Sequence, residues 1–226
     1  MKRTFSTELA YIVGLVILAL GVTFMERSDF GVSMVVAPAY LLHLKISQTY
    51  SFFTFGMAEY TLQAVLLILM IPILRRFRLS YLFSFVTAVL YGFILDLCML
   101  VVSYIPWEGS PMRVACYTLG MVLCAIGISL LFHTYIPPEV YELFVKEFAS
   151  VFGKDIHRVK TVYDIVSCTI AVILSFCFFG FWRFEGVKAG TVVCALVNGW
   201  LIGRFTALYE RLFDFQDGLP WRKYFS

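Results

Sequence analysis

Apolar residues occur in six long runs along the chain, and short polar segments separate most of them. A helix of about 20 apolar residues crosses the hydrocarbon core of a bilayer. The pattern therefore predicts an all-α, polytopic membrane protein with six transmembrane helices. The six runs are Leu9–Met25, Phe52–Leu74, Tyr81–Tyr104, Met112–Phe132, Val162–Trp182 and Ala189–Tyr209.

The connection after the first run is long and contains a second, shorter helical pattern. This pattern covers Val32–Leu44, with Asp29 as a possible N-terminal cap, and Pro38 interrupts it. A segment of this length is too short to span a bilayer. We therefore expect it to lie at the membrane surface as an amphipathic helix, or to enter the membrane partway as a re-entrant segment.

The connection after the fourth run repeats this arrangement at Pro138–Phe152. Its prolines suit a helix start, and Gly153 is a natural helix end. The same two alternatives, interfacial and re-entrant, apply to this helix. One face of it carries apolar side chains and the acids and lysine lie mostly elsewhere: Val140, Leu143, Phe144, Phe148 and Val151 against Glu139, Glu142, Lys146 and Glu147.

Composition supports the membrane assignment and excludes several other classes. Of the 226 residues, 61% are hydrophobic and 15% are charged, and the net charge is +3. A soluble fold could not bury so much apolar surface, so the lipid bilayer is the expected partner. The small positive excess does not indicate nucleic acid.

Few residues suggest chemistry at a metal or a cofactor. The six cysteines lie in apolar runs without a CxxC pair, so we interpret them as small hydrophobic residues. The three histidines are far apart and share no ligand spacing with cysteine. No nucleophile–base constellation, phosphate loop or nucleotide motif occurs. We expect no metal site, no cofactor and no enzymatic activity.

The distribution of Lys and Arg predicts the orientation in the membrane. With the N-terminus inside, 13 of the 18 Lys and Arg residues fall in inside segments and 5 fall outside. Positively charged residues are enriched in cytoplasmic segments. We therefore predict a multi-pass protein of the cytoplasmic membrane with both termini in the cytoplasm.

The chain repeats its own pattern at an offset of 105 to 107 residues. ALGVTFMERSDFGVS (Ala19–Ser33) aligns with AIGISLLFHTYIPPE (Ala125–Glu139), and two later blocks align in the same order. The unit is a helix, a long connection with a short helix, and two further helices. Three spans per unit is an odd number, so the second unit crosses the membrane in the opposite sense. We predict a 3+3 inverted repeat, with the first unit at residues 1–106 and the second, with the C-terminal tail, at 107–226.

Several short motifs resemble a known family. SDFGVS after the first helix, VYELF in the second short helix, HRVKTVYDI before the fifth run and KAGTVVCALVNGWLIGRF at the end are similar to the YczE/YyaS/YitT-type bacterial integral membrane proteins. The resemblance covers nearly the whole chain. It implies a bacterial multi-pass membrane protein and no particular mechanism.

Five residues within the spans are candidates for a substrate or ion pathway. Charges in membrane helices usually face a cavity or a partner, and a polar residue beside a glycine at mid-membrane fits a pocket between repeats. The alternative is helix packing, with Asp164 paired to Lys160, or Glu59 paired to Arg27 or Lys45. The candidates are Glu59, Tyr91, Asp96, Asp164 and Asn198.

These observations favour a transporter or facilitator for a small solute, with its site at the interface of the two repeats. A channel is a close variant. The alternatives are a substrate-capture membrane subunit of a larger importer, and a membrane scaffold or accessory protein that does not transport. A homo-oligomer is compatible with each of them.

Overall fold

The computed structural model describes residues 3–75, 78, 80–104, 109–181, 184–220 and 222. The boundary predicted between residues 106 and 107 lies outside these ranges. The described residues form the following elements in chain order: β1 Arg3–Ser6, α1 Thr7–Ser28, α2 Ala37–Ile46, α3 Phe55–Leu74, α4 Ser80–Ser103, α5 Ser110–Phe132, α6 Val140–Phe152, α7 Ile156–Phe179, α8 Ala189–Leu212 and β2 Phe213–Gln216.

Six of these helices are long and apolar enough to cross a membrane: α1, α3, α4, α5, α7 and α8. They coincide with the six predicted runs to within a few residues at most ends. Large apolar side chains face outward along them, and Ile68, Phe93 and Leu196 each keep 66% of their surface exposed. The acidic and amide side chains Glu59, Gln63, Asp164 and Asn198 of these helices are buried instead. This inside-out distribution is that of a protein surrounded by lipid and confirms the six predicted spans.

Helices α1 and α5 pack against each other through glycines in the centre of the molecule. A Cβ atom added at Gly120 would lie 2.6 Å from the carbonyl oxygen of Gly21, and one added at Gly127 would lie 2.8 Å from that of Gly14. Since the later glycine of α5 meets the earlier glycine of α1, the two helices are antiparallel. Helix α4 packs on α1 and α3, and helix α8 packs on α5 and α7.

The two short helices contact opposite ends of the bundle. Helix α2 packs on α3 and α7, and its Lys45 Nζ donates to the carbonyl oxygen of Phe178 at the end of α7, 3.3 Å away. Helix α6 packs on α3, α4 and α7, and its Glu147 accepts from the hydroxyl of Tyr81 at the start of α4, 3.1 Å away. Neither short helix is a full span.

Helix α2 begins at Ala37 and not at the predicted Val32, and Pro38 and Asp29 have other roles than predicted. Pro38 lies in the first turn of α2, where its missing N–H costs no hydrogen bond, so it starts the helix rather than interrupting it. The expectation that Asp29 caps this helix is wrong. Asp29 is the C-cap of α1 in the left-handed conformation, with φ 59°, and its carboxylate binds Arg113 and Lys188. The predicted end of the second short helix at Gly153 is confirmed.

A two-stranded sheet joins the two ends of the described chain, which the sequence pattern did not predict. Strands β1 and β2 are parallel, with Arg3 opposite Phe213 and Ser6 opposite Gln216. The rings of Phe5 and Phe213 lie 5.4 Å apart, centroid to centroid. The start of α1 and the end of α8 therefore lie at the same end of the bundle.

Candidate functional site

Eight polar or aromatic side chains come together inside the bundle, and we call them the buried polar cluster. None of them keeps more than 4% of its surface exposed. They come from four segments of the chain: α3, α4, α6 with its N-cap residue, and α7. Its members are Glu59, Gln63, Tyr91, Glu139, Tyr141, Glu142, Lys160 and Asp164.

Gln63 on α3 connects the cluster to the beginning of α6. Its Nε2 donates to Glu139 Oε2 at 2.9 Å, and its Oε1 accepts from the backbone N–H of Val140 at 2.9 Å. The first N–H groups of a helix have no partner within the helix. The Gln63 amide therefore satisfies one of them and fixes where α6 begins.

Lys160 on α7 is held between two carboxylates. Its Nζ lies 2.7 Å from Glu142 Oε1 and 3.2 Å from Asp164 Oδ1. The same Nζ lies 5.7 Å from the centre of the Tyr163 ring, within the range of a cation–π interaction. A buried ammonium requires such compensation, and these three side chains supply it.

On the α3 side of the cluster, some polar groups have no hydrogen-bond partner in the described part of the chain. Among the described residues, Glu139 Oε1 and the Tyr91 hydroxyl have no hydrogen-bond partner, and the Glu59 carboxyl has Tyr141 and Gln63 beside it. These groups lie close enough to interact electrostatically with one another. Buried polar groups in proteins nearly always have partners, so these unpaired groups make the α3 side of the cluster the candidate binding site.

Glu139 lies outside the spans, and its environment perturbs its ionisation. Burial raises its pKa to about 8, and the nearby Glu142 carboxylate acts in the same direction. The hydrogen bond from Gln63 and the charge of Lys160 oppose this rise in pKa without cancelling it. The raised pKa makes Glu139 a candidate proton-binding group.

Charge in the interior is strongly unbalanced. Four acids of the described chain are buried, Glu59, Glu139, Glu142 and Asp164, against a single buried lysine, Lys160. A buried carboxylate is costly unless it is paired or protonated. The cluster therefore holds protons or accepts a cation, and an anion would be repelled. Among the described residues, no group of three or more His, Cys, Asp or Glu side chains is arranged to hold a metal ion.

The structure brings three of the five predicted residues into the cluster: Glu59, Tyr91 and Asp164. Asn198 on α8 is also fully buried, and neither of its amide atoms has a partner among the described residues. It lies one helical turn from Cys194, which interacts electrostatically with Asp164 and Lys160. Asp164 forms an ion pair with Lys160, as the helix-packing alternative predicted. Glu59 is paired with neither Arg27 nor Lys45.

Asp96 has a local role in the structure. Its Oδ1 accepts a hydrogen bond of 2.8 Å from the backbone N–H of Gly56, in the first turn of α3. An acid at this position satisfies an otherwise unpaired N–H and interacts favourably with the helix dipole. Asp96 is half-buried and joins α3 to α4.

Sequence reasoning missed Gln63, Glu139, Glu142, Tyr141 and Lys160 as members of the site. The acids of α6 belong to the polar side of an amphipathic pattern, and such a side usually faces water. In the structure Glu139 and Glu142 instead contact Gln63 of α3 and Lys160 of α7. Lys160 was counted as a positive charge of an inside segment, but it is 2% exposed.

A groove of about 570 Å³ lies beside the cluster, between α6 and α7. Its walls are mostly apolar, with Phe144, Phe148 and Val162 among them, and Lys154 and Arg158 contribute to its lining. Tyr163 forms part of the same wall. This tyrosine therefore contacts the groove as well as the surroundings of Lys160.

The apolar surface, the six spans and the ionisable interior define a multi-pass membrane protein with a buried polar centre. The chain belongs to the family of unknown function DUF6198, which matches residues 5–207. No curated protein matches the chain, and no solved structure matches it. The resemblance to YczE/YyaS/YitT-type proteins stays a prediction.

Proposed function

We propose that this protein is a transporter or facilitator for a small solute in the cytoplasmic membrane, and that the buried polar cluster is its binding site. One observation carries the proposal: unpaired carboxyl and hydroxyl groups, each at most 4% exposed, converge from both halves of the chain. Ionisable groups inside a membrane protein are costly and mark substrate or ion pathways by default. A scaffold function does not require buried ionisable groups.

The contact between α1 and α5 supports an inverted repeat. Gly14 and Gly120 are equivalent at the 106-residue offset, and so are Gly21 and Gly127. Gly14 meets Gly127, and Gly21 meets Gly120. This exchange of partners is the signature of a two-fold axis between two equivalent units. Because the two helices are antiparallel, such an axis lies in the membrane plane.

Two hydrogen bonds repeat across the same axis. The Thr191 hydroxyl donates to the carbonyl oxygen of Val32 at 2.8 Å, and the Ser84 hydroxyl donates to that of Pro138. Ser84 and Thr191 are equivalent at an offset of 107, and Val32 and Pro138 at an offset of 106. In each unit, the connection after the first helix is thus attached to the third helix of the other unit. This supports two halves of common design.

The position of α6 supports the re-entrant alternative. Its N-terminus is bonded to Gln63, 11 residues before the end of α3 at Leu74, which is about 16 Å along a helix. Glu147, later in α6, reaches Tyr81 at the start of α4. The chain thus enters the bundle as an irregular segment and returns as a helix. Irregular backbone at such depth is tolerated where protein surrounds it.

The proposal is tested by uptake into proteoliposomes from an equimolar mixture of small amines, amino acids, sugars and nucleosides, read by mass spectrometry. We expect the wild-type protein to accumulate a subset of these compounds, and Glu59→Gln, Asp164→Asn and Asn198→Ala to reduce that uptake. Glu210→Gln is the matched control, since the Glu210 side chain is 65% exposed, and Ile173→Ala controls for the lipid-facing surface. If all three of these variants fold and transport like the controls, this site is refuted.

A further inference from the structure

The Lys160 environment shows how this interior binds an ammonium group. Two carboxylates approach Nζ at 2.7 and 3.2 Å, and the Tyr163 ring lies at 5.7 Å. Carboxylates accept the N–H bonds of an ammonium, and an aromatic face attracts its charge. The arrangement is complete, because the ammonium has a partner for most of its hydrogen-bonding capacity.

The α3 side presents the same types of group without a lysine. Glu59 is the residue equivalent to Asp164 at an offset of 105, and Glu139 is its second carboxylate, in electrostatic contact. Tyr141 interacts with both acids, and the Tyr91 hydroxyl does so from α4. The residue of α3 equivalent to Lys160 is Phe55, which carries no charge.

We infer that Glu59, Glu139, Tyr91 and Tyr141 form a binding site for the protonated primary amine of a small soluble molecule. The inference deepens the proposed function, on which it rests, by naming the substrate class. Each ammonium that binds replaces one carboxyl proton, which leaves to the solution. The charge of the interior then stays constant, so uptake of the amine is an exchange for protons.

Other ligand classes fit these groups less well. Anions are excluded by the surplus of acids, and the described residues lack the three-ligand groups that metal ions need. A quaternary ammonium has no N–H to donate to the carboxyl oxygens of Glu59 and Glu139. A soluble amine is favoured over a lipid headgroup, because all four side chains are enclosed by protein and at most 4% exposed.

The test is calorimetric titration of the full-length protein in nanodiscs of phosphatidylcholine and phosphatidylglycerol. Ethylammonium is the probe, and tetramethylammonium and sodium are the matched cations. We expect ethylammonium to bind at least about tenfold more tightly than either, as hydrogen bonds to a charged group require. Repeating the titration in buffers of different protonation enthalpy should show release of about one proton per ammonium bound.

Variants locate the site and separate the inference from the proposed function. Glu59→Gln should weaken ethylammonium binding by about tenfold or more, and Glu210→Gln should leave it unchanged. Equal binding of all three cations would overturn the inference, and so would ethylammonium binding that Glu59→Gln leaves unchanged. The inference would also fail if phosphatidylethanolamine, and no soluble amine, competed for the site. Ethylammonium binding without any uptake in proteoliposomes would contradict transport and keep the ligand class. Uptake of other solutes without ammonium binding would support transport and contradict the inferred ligand class.

Discussion

At the scale of single residues, the described part of the protein buries four acids and a single lysine. Ionised side chains are stable in such surroundings when they are paired, and otherwise they bind protons. The α7 side of the cluster has paired charges, and among the described residues the α3 side has acids without a cation. Asp164 and Glu142 share the ammonium of Lys160, and the carboxyls near α3 depend on protons or on a ligand. Two predictions follow from this difference.

The first concerns Glu139, whose pKa burial raises from 4.5 to about 8. The folded protein binds this proton more tightly than the unfolded chain, so stability falls as the pH rises between these values. Glu59, Gln63, Glu142 and Lys160 all act on this carboxyl. Glu139→Gln is neutral at every pH and should remove part of the decline in thermal midpoint, measured in detergent from pH 5 to 9. The control Glu210→Gln should show the same decline as the wild type. If the thermal midpoint of Glu139→Gln falls with pH as steeply as that of the wild type, this account is contradicted.

The second concerns Lys160. Replacing it by Met leaves two buried carboxylates without their cation, and we expect a loss of about 3–5 kcal/mol in unfolding free energy. Adding Glu142→Gln and Asp164→Asn to Lys160→Met removes both charges and should recover part of the loss. Thermal unfolding of the single and triple variants at one pH measures this. A triple variant less stable than Lys160→Met would show that the ion pairs are not the cause.

At the scale of elements, spans were predictable and the surroundings of the short helices were not. Length and apolar composition determine which segments can cross lipid, so the sequence predicts runs at Phe52–Leu74 and Ala189–Tyr209, close to the observed α3 and α8. The alternation of polar and apolar residues in α6 shows that it has two faces. It does not show whether Glu142 faces water or a lysine distant in sequence, because that depends on α7.

The glycine contacts between α1 and α5 give a prediction at this scale. Gly120→Ala would place a Cβ atom 2.6 Å from the carbonyl oxygen of Gly21 and 2.9 Å from the backbone nitrogen of Met25. Backbone cannot yield easily, so we expect a loss of about 1–3 kcal/mol. Gly199→Ala is the control, since its nearest described neighbour is the Thr161 hydroxyl at 3.2 Å. Equal thermal midpoints for the two variants would contradict the close approach of the helices.

At the scale of the whole molecule, the repeat in sequence and the exchange of contacts in space lead to the same proposal. The 106-residue offset was visible in the chain, but the meeting of Gly21 with Gly120 requires three dimensions. The same is true of the pairing of β1 with β2, whose four-residue strands carry too little pattern to be recognised. The proposal puts the polar cluster between two repeated units, where alternating access would expose it to each side of the membrane in turn.

The central claim is that both sides of the membrane reach this cluster, and native Cys194 reports on it directly. Cys194 is fully buried and interacts electrostatically with Asp164. The decisive measurement is the reaction of a variant that keeps only this cysteine of the six with a membrane-impermeant thiol reagent, added to one face of proteoliposomes at a time. We predict that Cys194 is labelled from either face. As a control, a single cysteine at the exposed position of Glu210 should react from one face only. A Cys194 that is protected from both faces in the folded protein, and reacts only after unfolding, would contradict the account.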